Sequence, residues 1–210
     1  PLRTVRLRNL NINGTGASGS VGQQTGINGI RIDSAAIVYI EDVLVSDFTQ
    51  NGILDQRTAG GRLNVTNTIV RNNDGAGIKV SPSSGSTKIN VAIERLTAEG
   101  NGKGMVFNNG PRAMINNSTC SNNLGSGIES TSTAGTTAVN INRSMVSTNA
   151  GVALLTTGNN VLRFSDTDVA FNGTGFSGET GTSGTNRITG NAVIGTVPTH
   201  MGGSFDLGQI

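Results

Sequence analysis

The chain of 210 residues has a formal net charge of +2, with 31 glycines, one cysteine, one histidine, one tyrosine and no tryptophan. One cysteine excludes an internal disulfide, cysteine and histidine together are too few for a zinc site, and no apolar run approaches the roughly 18 residues of a membrane-spanning helix. With 13% charged and 3% aromatic residues, the composition suits short strands and many turns in one elongated domain, and no nucleic-acid partner or membrane insertion is expected.

In chain order, strand residues begin at Val5 to Leu7, with neither a charged-then-apolar leader nor a plugging helix before them. The expectation is that further coils or another cover lie at that end. A repeat of roughly 22–28 residues then runs through the chain. Its copies read YIEDVLVSDFTQNGILDQ, LNVTNTIVRNNDGAGIKV, AMINNSTCSNNLGSGIES, VNINRSMVSTNAGVALLT and LRFSDTDVAFNGTGFSG. Superposed, they give a first apolar column of Leu7, Ile40, Val65, Ile93, Ile115, Ile141, Phe164 and Ile188. Five residues on comes a second, Ile12, Val45, Val70, Ala98, Cys120, Val146, Val169 and Val193, and a third holds Ile30, Ile53, Ile78, Met105, Ile128, Leu154 and Phe176. Each coil thus offers three short strands with alternating inward residues, such as Leu63-Asn64-Val65, Thr68-Ile69-Val70 and Ile78-Lys79-Val80. Stacked about 4.8 Å apart, they make an all-β parallel solenoid of about seven to eight coils over residues 1–196, with a tail at 197–210 that can cap the last coil.

Eight residues after the first column stand Asn73, Asn101, Asn123, Asn149 and Asn172, with Phe48 the exception one coil earlier. Asparagine tolerates the left-handed backbone region and can bond its own kind in the next coil, so the column reads as a structural ladder. Gly29, Gly52, Gly77, Gly104, Gly127 and Gly175 precede the third column, where they would allow a tight bend.

These columns and the asparagine ladder resemble the right-handed parallel β-helix repeat proteins of the pectate-lyase-like superfamily, in particular small bacterial members rich in N-G-I segments. The resemblance covers about residues 5–194. It implies the fold and a secreted or cell-surface location, but not one chemistry, because the superfamily includes lyases, hydrolases, epimerases and phage tailspikes.

Function would sit on the outward surface. The outward first-strand positions are Arg6, Tyr39, Asn64, Ala92, Met114, Asn140, Arg163 and Arg187, with Arg57, Arg62, Lys88 and Arg112 in the loops leading in. Acidic residues, among them Glu41, Asp42, Asp47, Glu94, Asp166 and Asp168, lie between the first strand and the next turn. The expected ligand site is therefore a basic strip of Arg6, Tyr39, Arg62, Lys88, Arg112, Arg163 and Arg187, suited to an acidic polysaccharide. Scarce aromatics leave few stacking rings for sugars.

The family's enzymes provide the alternative, a polysaccharide lyase or related carbohydrate-active enzyme. The acidic metal cluster of calcium-dependent pectate lyases and the Gly-His-Gly segment of the hydrolases are missing, so the expectation is no metal and no cofactor. A metal-independent β-elimination could use Tyr39 or Arg163 as base, with Arg187 neutralising the substrate carboxylate. The balance favours a non-catalytic structural or glycan-binding module. Cys120 is expected in the core, His200 in a solvated tail and Arg143 in a surface pair with Asp166. Outward Leu44, Ile69 and Met145 raise the option of lateral self-association, beside end-to-end stacking.

Overall fold

The computed structural model describes residues 3–14, 26–85, 87–158 and 160–200. Of the expected C-terminal tail, 201–210 lie outside the described residues, as does most of the glycine-rich segment after Asn13. Every described element is a strand and every strand pair is parallel, and no helix is long and apolar enough to cross a membrane. Six regular coils run from the strand Ile37–Glu41 to the strand Thr174–Ser177, with less regular coils at either end, slightly fewer than the repeat count suggests.

The three apolar columns become three inward rows because alternation sends every second side chain to the axis. In the first row Leu7, Ile40, Val65, Ile93, Ile115, Ile141 and Phe164 are in consecutive register. The third runs unbroken from Ile30 to Phe176. Most are fully buried, and Phe164 stacks on Phe176 across the axis with ring centroids 5.4 Å apart. Strands Gly61–Arg71 and Ile89–Glu99 run continuously through the first two faces, joining them in one 15-stranded sheet, while the third face is a separate 8-stranded sheet.

One part of the alignment is corrected. Ile188 pairs with Val169 and so belongs to the second row, while Thr182 follows Phe164 in the first. Val193 moves to the third face, opposite Thr174. The last coil is short: Asp168 and Arg187, stacked neighbours, are 19 residues apart, so the spacing used to align it does not hold there.

The asparagine ladder is present and longer than expected. Nδ2 donates to Oδ1 of the next coil from Asn73 to Asn101 (2.8 Å), Asn101 to Asn123 (3.2 Å), Asn123 to Asn149 (2.8 Å), Asn149 to Asn172 (2.9 Å) and Asn172 to Asn191 (2.9 Å). Each Oδ1 also accepts the backbone N–H of the ladder residue one coil back, and at the start of the row Asn73 Oδ1 accepts from Phe48 N–H at 3.1 Å. The left-handed conformation, by contrast, falls one residue earlier, at Asp47, Asn72, Gly100, Asn122, Thr148, Phe171 and Gly190. The division has a physical reason: the ladder residue must turn its amide inward, so its predecessor makes the reversal.

A second ladder was not anticipated. At the corner between the first and second faces, Ser118 Oγ accepts from Leu96 N–H (3.1 Å), Ser144 Oγ from Ser118 N–H (3.2 Å) and Thr167 Oγ1 from Ser144 N–H (3.4 Å). Each hydroxyl then donates to the carbonyl two residues before it. The residue preceding it is again left-handed, through Asn9, Asp42, Asn67, Arg95, Asn117, Arg143 and Asp166.

The glycines before the third row serve close packing rather than a bend, since none of them has a positive φ. A Cβ on Gly104 would lie 2.0 Å from Cys120 Sγ, and one on Gly52 would lie 2.2 Å from Val70 Cγ1. Cys120 is buried, with its thiol donating to Gly127 O at 3.1 Å. Burial pushes its pKa up from 9.0 to about 12.

Two stability outcomes follow from these contacts. Asn123→Ala removes one rung amide and leaves buried neighbours unpaired, so the denaturant midpoint should fall by an amount corresponding to about 1–3 kcal/mol; an unchanged midpoint would contradict the ladder's role. Cys120 has its folded pKa raised above its unfolded value, so its contribution is complete below pH 9.0 and is lost as pH rises towards about 12. The midpoint of the unmodified protein should therefore drop more steeply over that window than the midpoint of Cys120→Val.

Candidate functional site

The first face presents its outward side chains in the expected row, Arg6, Tyr39, Asn64, Ala92, Met114, Asn140 and Arg163, in consecutive register. The basic strip is nevertheless not continuous. At its start, the Arg6 guanidinium lies 4.8 Å from the centroid of the Tyr39 ring, and Arg6 Nε is 3.7 Å from Glu41 Oε2. Arg8 also reaches Glu41 (3.6 Å) and Asp42 (3.7 Å). These pairs bring acidic side chains against the cations that sequence position had separated from them.

Arg187 is not on this face. It occupies the outward second-face row, stacked on Asp168, with Nη2 2.5 Å from Asp168 Oδ2. The place beside Arg163 belongs to Gly181. Arg163 is half-buried and lines a shallow depression with Glu179, Thr180 and Thr199. Five rungs separate Tyr39 from Arg163 in the register, about 24 Å at the usual strand spacing. Arg187, expected to neutralise the substrate carboxylate, is therefore on another face from Tyr39 and Arg163, the two alternative bases.

Arg57 is likewise corrected, from loop cation to buried staple. It is 1% exposed and fixed by a forked pair with Asp55, Nε to Oδ1 at 2.9 Å and Nη2 to Oδ2 at 2.6 Å. Its Nη1 donates to the carbonyls of Ala35 (2.7 Å) and Arg62 (3.3 Å), tying the turn to the strand Gly61–Arg71 and to the segment that leads into the strand Ile37–Glu41. Nearby, hydrogen bonds from Gln56 and Arg31 hold the Asp33 carboxyl below its usual pKa.

Three cations of the strip remain. Arg62, Asn90 and Arg112 stack in consecutive rungs of the first face, two positions before the Tyr39 row. Arg62 and Arg112 are thus about 9–10 Å apart along the axis. Lys88 precedes the strand Ile89–Glu99, on the rung between them, with Nζ donating to Gly85 O at 3.3 Å. All three are exposed, and none pairs with a carboxylate among the described residues. The resulting cluster has three positive charges within two rungs.

Other expectations resolve plainly. Arg143 and Asp166 stack in consecutive left-handed corners but form no ion pair; Asp166 Oδ1 accepts from Thr185 Oγ1 at 2.6 Å. His200 is exposed, yet it lies in a strand, opposite Thr182. Leu44, Ile69 and Met145 do share one outward second-face row, interrupted by Thr97 and Thr119. No group of three or more metal-ligating side chains occurs among the described residues. The sequence reading missed the third face, where Lys103 pairs with Glu129 at 2.9 Å. Their separation of 26 residues, close to the 23 that separate Val106 from Glu129 in adjacent rungs, was the available signal.

A protein-family model described as "Right handed beta helix region" matches residues 28–197. No curated protein and no solved structure matches the chain. The family match spans all six regular coils and the asparagine ladder, and the chain belongs to the right-handed β-helix family.

Proposed function

We propose that this protein is a non-catalytic extracellular or cell-surface β-helix whose solenoid displays a binding site for an acidic polysaccharide. The observation that carries this reading is the cluster of Arg62, Lys88 and Arg112, exposed on neighbouring first-face rungs without a carboxylate partner among the described residues. Other cations of the strip are engaged: Arg6 with Glu41 and Arg187 with Asp168. Forked guanidinium bonds to carboxylate or sulfate groups fit Arg62 and Arg112, and Lys88 adds a point charge between them. The three positions fall on consecutive rungs of one parallel sheet, so an extended chain lying along that face can meet all three cations.

The test compares two triple variants by affinity electrophoresis in gels containing polygalacturonate or a sulfated polysaccharide at low ionic strength. Replacing Arg62, Lys88 and Arg112 by Ser should weaken binding by at least about tenfold, and binding by the unmodified protein should fall steeply with added salt. Replacing Arg71, Arg95 and Arg143 removes the same formal charge from other surfaces and should change it little. Equal losses from both variants, or no binding by the unmodified protein, would overturn the proposal.

A further inference from the structure

The third face holds a groove that the basic strip does not explain. It is an open depression of about 590 Å³ lined by, among others, Asp74, Lys79, Lys103, Val106, Glu129 and Leu155. Lys79, Val106, Glu129 and Leu155 occupy one outward row in four consecutive rungs, so the groove follows the axis for about 14 Å. Beside that row, Thr131 Oγ1 bonds Asn108 Oδ1 at 2.6 Å, giving the groove a fixed polar wall.

Its centre is an ion pair of unequal exposure. The Glu129 side chain is 5% exposed and that of Lys103 is 50% exposed, with Nζ 2.9 Å from Oε1 and 3.1 Å from Oε2. Glu129 stands at an outward strand position and is nonetheless buried, between Val106 and Leu155 of the adjacent rungs. Breaking such a pair would leave a carboxylate buried without a counter-charge, so a charged ligand that captured either partner would carry a heavy penalty. A ligand that leaves the pair intact, and offers groups that both donate and accept, can use the free N–H of the ammonium and the remaining lone pairs of the carboxylate. Hydroxyl groups do both.

The rest of the lining selects in the same direction. Two lysines, one aspartate and one glutamate give the groove a formal charge of zero, in contrast to the cluster on the first face. Val106 and Leu155 flank Glu129 in the row; Val106 is buried, and the partly exposed Leu155 supplies apolar surface for C–H groups. We infer that this groove is a second binding site, specific for a neutral oligosaccharide, with Glu129 and Lys103 bonding adjacent hydroxyls and Leu155 packing on the sugar ring. It stands on different residues from the acidic-polysaccharide site and does not depend on it.

The experiment is isothermal titration of the full chain with neutral hexasaccharides of glucose, mannose, galactose and xylose, in about 0.5 M salt to suppress the first-face cluster. At least one should bind, with an affinity insensitive to salt. Glu129→Gln should weaken it by about tenfold or more, and Leu155→Arg, which fills the groove from an outward position, should abolish it while keeping the β-sheet spectrum and unfolding midpoint. The variant with Arg62, Lys88 and Arg112 replaced by Ser should bind the neutral sugar as the unmodified protein does. Absence of binding to all four sugars, or binding that survives Leu155→Arg in a folded protein, overturns the inference.

Discussion

Everything in this structure rests on one constraint: each coil must present to the next a complete set of backbone partners at the rung spacing of a parallel sheet. Strands meet that requirement automatically, but corners do not, because there the chain turns out of the ladder and strands its N–H groups near the core. The asparagine row answers it at the corner between the second and third faces. One amide accepts two donors from the coil before and gives its own hydrogens to the next coil and to a core carbonyl, as Asn123 does with Asn149 and Ala98. The serine and threonine row does the same work with a hydroxyl at the corner between the first and second faces.

Corner chemistry then dictates the surface. Each ladder residue turns inward, so its predecessor takes the left-handed conformation and projects outward. Asparagine, aspartate or glycine fills most of these places, at little steric cost. Thr148, Phe171, Arg95 and Arg143 occupy the same conformation without that excuse, so the stacking of their neighbours has to sustain the local strain. The outward strand positions carry no such duty. That freedom leaves the first face able to gather Arg62, Lys88 and Arg112, and the third face able to hold the Lys103–Glu129 pair.

Much of the fold was legible in the sequence because a solenoid writes its contacts at nearly constant spacing. Ile53, Ile78, Met105 and Ile128 are neighbours in space for the same reason that they align in the repeat. The final coil escaped because Ile188 and Val193 mimic the five-residue step from first to second strand. The better guide was Asn191, which follows Ile188 by three residues as Asn172 follows Val169. Placement of the outward residues was legible to the same degree, but their pairing was not. Long side chains reach across rungs and along strands, so that Glu41 meets Arg6 and Arg8, and Asp55 draws Arg57 into the interior. Spacing reports which face a charge is on; only the packed structure reports what it touches.

The most direct measurement of this account is residue-resolved hydrogen exchange of the backbone amides of Asn73, Asn101, Asn123, Asn149 and Asn172. These lie at corners, outside the strands, and bond only to side-chain oxygens of the next coil. If the buried amide row holds the coils together, they should exchange as slowly as the strand amides of Ile78 and Ile128 and speed up together when Asn123 is replaced by Ala. Exchange at the rate of exposed loops, with the strands still protected, would show that the sheets alone hold the solenoid and would contradict the account.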